Sequence, residues 1–253
     1  MVTGLTVGRT PSLPLVPTRE SREREWQDRE QQVDGTQDAL GLGLDPGIKF
    51  AVVGLQANGF HTVQSCEGHS NRGCGAPWVD IEAPGVPKAL FEGFPNKLFY
   101  IRTYNQEEAA FRQVAQAHGL TAEALMDRGN GDTTGDLRQE ALVLAAKNGE
   151  TPEYQAWVGR NHSVRGTLEH LLSDYQAAHP GSEDGQPHLE IWGPEKVRLY
   201  TGTQADLDSH TWEMGAAERA SLEQRLPRSR RAMNDFADYL KDRFVSAGPY
   251  VKD

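Results

Sequence analysis

His61-Thr62-Val63-Gln64-Ser65-Cys66-Glu67-Gly68-His69-Ser70-Asn71-Arg72-Gly73-Cys74-Gly75-Ala76-Pro77-Trp78-Val79-Asp80-Ile81-Glu82 is the stretch on which the fold reading turns. Phe60 to Ser65 reads as a short strand around Thr62 and Val63. Trp78 to Ala83 reads as a second strand, because Val79 and Ile81 alternate with Asp80 and Glu82, the period of a sheet with one apolar face. The loop between them carries Gly68, Gly73 and Gly75. Just upstream, Asp45-Pro46-Gly47-Ile48 is a helix start: Asp45 is a capping residue, and Pro46 suits a first turn where its missing N–H costs nothing. Ile48, Val52 and Leu55 then share one helical face, and Asn58-Gly59 ends the run. The unit is helix, strand, glycine-rich loop, strand.

Working outward, the first 43 residues read as a loose tail followed by a charged surface helix, Ser21 to Gln32, around Trp26. Residues 44 to 253 read as one domain, with a polar linker at 180–187 as the natural place for a sub-boundary. Leu98-Phe99-Tyr100-Ile101 suggests a third strand. Helices are expected over Asn105–His118, Ala122–Asp127, Asp136–Asn148 and from Thr151-Pro152 to about Ala178. His188–Trp192 and Val197–Tyr200 form a hairpin pattern. The C-terminal third is helical, with a break expected at Pro227 and an apolar face of Met233, Phe236, Tyr239, Leu240 and Phe244. The fold class is therefore α+β: a small mixed sheet carrying the motif, enclosed by helices, with a mainly helical C-terminal part.

Composition narrows the function classes. With 26 basic and 36 acidic side chains the net charge is −10, which argues against broad binding to phosphate backbones. Arg225-Leu226-Pro227-Arg228-Ser229-Arg230-Arg231 is the nearest basic patch, and the surrounding Glu218, Glu223, Asp235 and Asp238 make it read as a solvated helix junction. No run approaches the roughly 18 apolar residues of a membrane span, and no secretory signal is visible, so no membrane partner and a cytoplasmic location are expected.

Only two cysteines are present, Cys66 and Cys74, and both fall in the opening stretch beside histidines. Thiolate and imidazole ligands at such spacing suit tetrahedral zinc, with Cys66, His69 and Cys74 as the metal set. His61, on the strand, points away from Cys66 if the pleat is regular. A second reading is thiol or acid–base chemistry by Cys66, Glu67, His69 and Asp80, since a histidine lowers a nearby thiol pKa and a carboxylate orients the imidazole. A third is a binding loop, in which Ser65 and Gly68 offer groups to a small-molecule or nucleotide ligand against the Trp78 wall. The fourth is structural: Cys66 and Trp78 as packing, Glu67 and His69 as surface residues, and a partner patch elsewhere, beside Trp192 or Trp212.

Leu44 through Ile48, Gly59 through Thr62, Ser65-Cys66-Glu67-Gly68-His69 and Pro77 through Ile81 together resemble a group of small proteins from bacteria and their phages, which share a helix followed by a Thr-x-x-Ser-Cys-Glu-Gly-His signature. This resemblance spans about forty residues and names a module rather than an activity. More remotely, the element order is similar to the start of the methyltransferase family of tRNA wybutosine synthesis, with its Ser-Ser-Cys-Ser-Gly-Arg turn. Ser65, Cys66 and Gly68 match that turn, while Gln64, Glu67 and His69 stand where that family has serine, serine and arginine. That likeness implies a nucleotide- or RNA-modifying enzyme.

Overall fold

Val79 and Ile81 have no exposed surface in the computed structural model, and Asp80 between them is just as buried on the opposite face of the strand. The structure describes residues 17–37, 41–87, 89–91, 94–95, 102–121, 137, 151–181, 186–192 and 196–251. In chain order the described elements are α1 (Arg19–Asp34), α2 (Pro46–Ala57), β1 (Thr62–Cys66), β2 (Trp78–Ile81), β3 (Ala89–Phe91), β4 (Phe94–Pro95) and α3 (Arg102–Ala117). They continue with α4 (Pro152–Ala178), β5 (Pro187–Trp192), β6 (Lys196–Thr201), α5 (Gln204–Asp208) and α6 (Ala216–Ala247). The α+β architecture is as expected.

Four strands form one sheet in the order β1-β2-β6-β5, and β3 and β4 pair separately. Every pairing is antiparallel, where a mixed sheet was expected. The expected hairpin is β5–β6, and it docks beside β2 so that each neighbour returns the chain in the opposite direction. Strand alternation gives the sheet two distinct faces. One carries Val79, Ile81, Val197 and Leu199, which join Ile48, Val52 and Leu55 of α2, Leu168 and Leu171 of α4, and Met233, Phe236, Leu240 and Phe244 of α6 in the main core. The other face carries Trp78, Asp80 and Arg198.

Helix α2 is buried on nearly every side, because α1, α6 and the sheet all pack on it. Gly54 lets α6 approach: a methyl group there would stand 3.0 Å from the Leu240 side chain. Trp26, expected on a surface helix, is only 1% exposed and meets Phe50 edge-on at 5.4 Å. The charged residues around it had masked a docked helix, since one tryptophan outweighs several solvated charges as an anchor. Pro227 does not break the C-terminal helix, which runs through it from Ala216 to Ala247. Leu222 and Leu226 before it and Met233 and Phe236 after it are buried, and their packing offsets the lost backbone bond, of the order of 3 kcal/mol.

The expected strand at 98–101, the helix at 122–127, nearly all of the helix at 136–148, and residues 1–16 lie outside the described residues. No helix among the described residues is long and apolar enough to cross a membrane.

Candidate functional site

The site forms where β1 ends against the first turn of α2. Asp45 occupies the N-cap position of α2, yet its side chain makes no capping bond. Glu67, twenty-two residues on, takes that role: the Gly47 amide donates to Glu67 Oε2 at 2.7 Å. A carboxylate at this end of a helix is favoured by the unsatisfied amides and the positive end of the helix dipole. Gly47 is required by the contact, since a Cβ there would lie 2.5 Å from Glu67 Oε2 and 3.2 Å from its Cβ.

Relieved of capping, Asp45 turns to the loop. Its Oδ2 stands 3.1 Å from His69 Nε2 and accepts a long bond from the Glu67 amide at 3.4 Å. Its Oδ1 accepts from Arg72 at 3.2 Å. His69 is thus held between two carboxylates, with Nδ1 3.9 Å from Glu67 Oε1, and its side chain is only 11% exposed. Cys66 completes the group. One ligand atom from each of Asp45, Cys66 and His69 lies within 4.8 Å of the other two, and all three residues are half-buried.

Cys66 and Cys74 are both free thiols. Burial pushes the Cys66 thiol up to about 11, opposed by the Gly68 amide that donates to its sulfur and reinforced by the nearby Asp45, Cys74 and Glu67. That direction keeps the thiol protonated near neutral pH, the reverse of what an activated nucleophile needs. A metal ion bound here would displace that proton and take the thiolate as a ligand.

The turn is tied down from α6. Arg230 donates to the Glu67 carbonyl at 3.0 Å and carboxylate at 3.0 Å, and to the Gly68 carbonyl at 2.6 Å. Gly68 has φ +75°, and a Cβ would collide with the Ala76 carbonyl carbon and Leu226 at 2.8 Å, so it closes the turn by sterics. The basic run at 225–231 is solvated only in part: Arg225, Arg228 and Arg231 are exposed, but Arg230 grips the motif and Arg225 pairs with Asp206 at 2.6 Å.

The remaining sequence candidates lie around this group. Cys74 places its backbone carbonyl on the His69 amide at 2.9 Å, but its thiol is outside the three-residue group, where Asp45 stands instead. Trp78 pairs in register with Cys66, and the Arg198 guanidinium lies 3.9 Å over its ring. Ser65 pairs with Val79, which puts it in a row on the core side of the sheet, away from Cys66. Asp80 lies one side-chain row, roughly 7 Å, along the face from Cys66. There it is fully buried and held by Lys196 at 2.7 Å and by Arg198 at 2.7 and 3.1 Å. His61 is exposed and outside the group; it precedes β1, and the register shift between Thr62 and Gln64 breaks the regular alternation on which its expected direction rested. Asp45, Arg72 and Arg230 are the residues that the sequence did not single out for the site. An Asp before a Pro-Gly helix start resembles any cap, and Arg230 is 163 positions from its partner.

No protein-family model, curated protein or solved structure matches the chain.

Proposed function

We propose that this chain is a metal-binding protein, with zinc held by Asp45, Cys66 and His69 and a fourth position open to water or a ligand. The observation that carries the reading is the convergence of carboxylate, thiol and imidazole within 4.8 Å at one half-buried point. Sulfur, nitrogen and oxygen donors of this kind suit zinc, and three protein ligands with one open position are the pattern of a catalytic rather than a closed structural site. Ligand atoms about 2.0–2.3 Å from zinc stand roughly 3.3–3.7 Å apart. The Asp45 Oδ2–His69 Nε2 pair, at 3.1 Å, would open by a few tenths of an ångström on loading, and the Cys66 sulfur, within 4.8 Å of both, would draw in toward them. Glu67, with Oε1 3.9 Å from His69 Nδ1, would have to close on the ring to serve as the carboxylate behind the imidazole, an arrangement that raises ligand basicity. In this reading Cys66 and His69 are ligands, Glu67 and Arg230 are positioning residues, and Gly68 shapes the turn. Bound zinc would polarise the water or substrate atom at the open position, which fits a site that acts on a small-molecule or nucleotide ligand.

The test is the metal content of protein purified without chelator. About one equivalent of zinc is expected, with Cys66→Ser and Asp45→Asn both losing it and Cys74→Ser keeping it. Folded protein free of metal, which takes up none on addition of zinc, would overturn the reading.

A second reading, an interaction protein whose motif is a structural turn, is favoured by the Arg230 clasp and by Trp212, which is 60% exposed beside His210. It predicts the metal-free result and a fold indifferent to zinc.

A further inference from the structure

We infer that the loaded site takes an oxyanion-bearing ligand, a phosphate or carboxylate group, at the open metal position, with Arg72 as its second anchor. The inference rests on the metal reading above and goes beyond it to the chemistry of the ligand. Around the site, two carboxylates, Asp45 and Glu67, face two guanidiniums, Arg72 and Arg230. Zinc adds two positive charges and the Cys66 thiolate only one negative, so loading makes the site one charge more positive than it was. A neutral ligand leaves that added charge in place, and an anion cancels it.

The two arginines differ in what they can do. Arg230 is committed to three acceptors of the turn. Arg72 has a side chain 67% exposed and a single 3.2 Å contact, to Asp45 Oδ1. Exposed pairs of this kind contribute little, and a metal drawing on the same carboxylate weakens this one further. Its planar fork is then available to an oxyanion bound to the metal, the geometry guanidinium groups match best. Access is open on this side: Asn71 is exposed, and a Cβ at Gly73 would meet nothing within 4 Å.

Cobalt(II) substituted for zinc makes the site visible, because its d–d absorption responds to a change in the fourth ligand. The loaded chain is titrated with inorganic phosphate and, separately, with acetate, alongside Arg72→Gln and Arg72→Lys. Saturable spectral change with either anion is expected. Arg72→Gln should weaken binding by about 10-fold to 100-fold, Arg72→Lys should restore part of it, and metal stoichiometry should be unchanged in both. The phosphate and acetate arms tell a phosphoryl ligand from a carboxylate. If cobalt binds but neither anion changes the spectrum, or if Arg72→Gln binds as the parent does, the oxyanion inference is overturned and the metal reading stands. If no cobalt or zinc binds, both fall.

Discussion

Replacing Gly47 with alanine sets two physical arguments against each other, and the sign of the result decides between them. Helix propensity alone predicts a gain of up to about 1 kcal/mol, because glycine is the poorest ordinary residue in a helix. The structure predicts a loss. The added methyl would stand 2.5 Å from Glu67 Oε2 and 3.2 Å from Glu67 Cβ. Glu67 cannot yield at its tip alone, since the same carboxylate accepts from the Gly47 amide at 2.7 Å and from Arg230 at 3.0 Å. A hydrogen bond to a charged group contributes about 1.5–3 kcal/mol. Setting the full propensity gain against its loss leaves a net destabilisation of about 0.5–2 kcal/mol. For a chain of this size that lowers the melting temperature by roughly 1–8 °C, within reach of thermal unfolding followed by circular dichroism. The same substitution in a Glu67→Ala background has no carboxylate to strike and keeps only the 3.2 Å contact with the remaining Cβ, so there the loss should shrink to well under about 1 kcal/mol or give way to a small gain. A Gly47→Ala protein that melts above the parent would refute the assignment of Glu67 as the cap of α2.

Three further outcomes are expected. In metal-stripped Cys74→Ser protein, Cys66 should be alkylated about tenfold more slowly than an ordinary thiol near pH 8. Raising its pKa from 9.0 to about 11 cuts the thiolate fraction about a hundredfold, and the greater basicity of the sulfur returns about a tenth of that loss. The rate should climb as pH rises toward 11, and a fast reaction at neutral pH would contradict the buried placement. Asp80→Asn should destabilise by about 3–5 kcal/mol in urea unfolding, because it strips the carboxylate from Arg198 and Lys196 in a buried cluster; a change under 1 kcal/mol would show that this charge cluster does not hold β2 to β6. Glu67→Gln should weaken zinc affinity by about 10-fold to 100-fold in competition with a chelating dye, through loss of the carboxylate behind His69, and unaltered affinity would remove Glu67 from that role.

The sequence alone determined the local elements whose signals are local. Asp45-Pro46 and Asn58-Gly59 bound α2 as expected, with Pro46–Ala57 helical. The alternation of Val79 and Ile81 with Asp80 marked β2, and Thr151-Pro152 began a helix with Thr151 accepting from the Tyr154 amide. Capping, turn and periodicity rules act within a few residues, so a single chain displays them. It also drew attention to Cys66, Glu67, Gly68 and His69, which the structure places together at the turn after β1. Tertiary structure alone decided how that site is assembled. Asp45 reads as a cap in sequence and becomes a partner of His69 only because Glu67 reaches the Gly47 amide from another element. Arg230 reads as part of a solvated run until α6 lays it across the motif turn. Trp26 and Pro227 followed the same rule, the burial of one tryptophan and the packing of two helical turns outweighing charge pattern and backbone preference. Contacts between residues 20 to 163 positions apart depend on how helices pack on the sheet, and no local pattern in one sequence encodes that geometry.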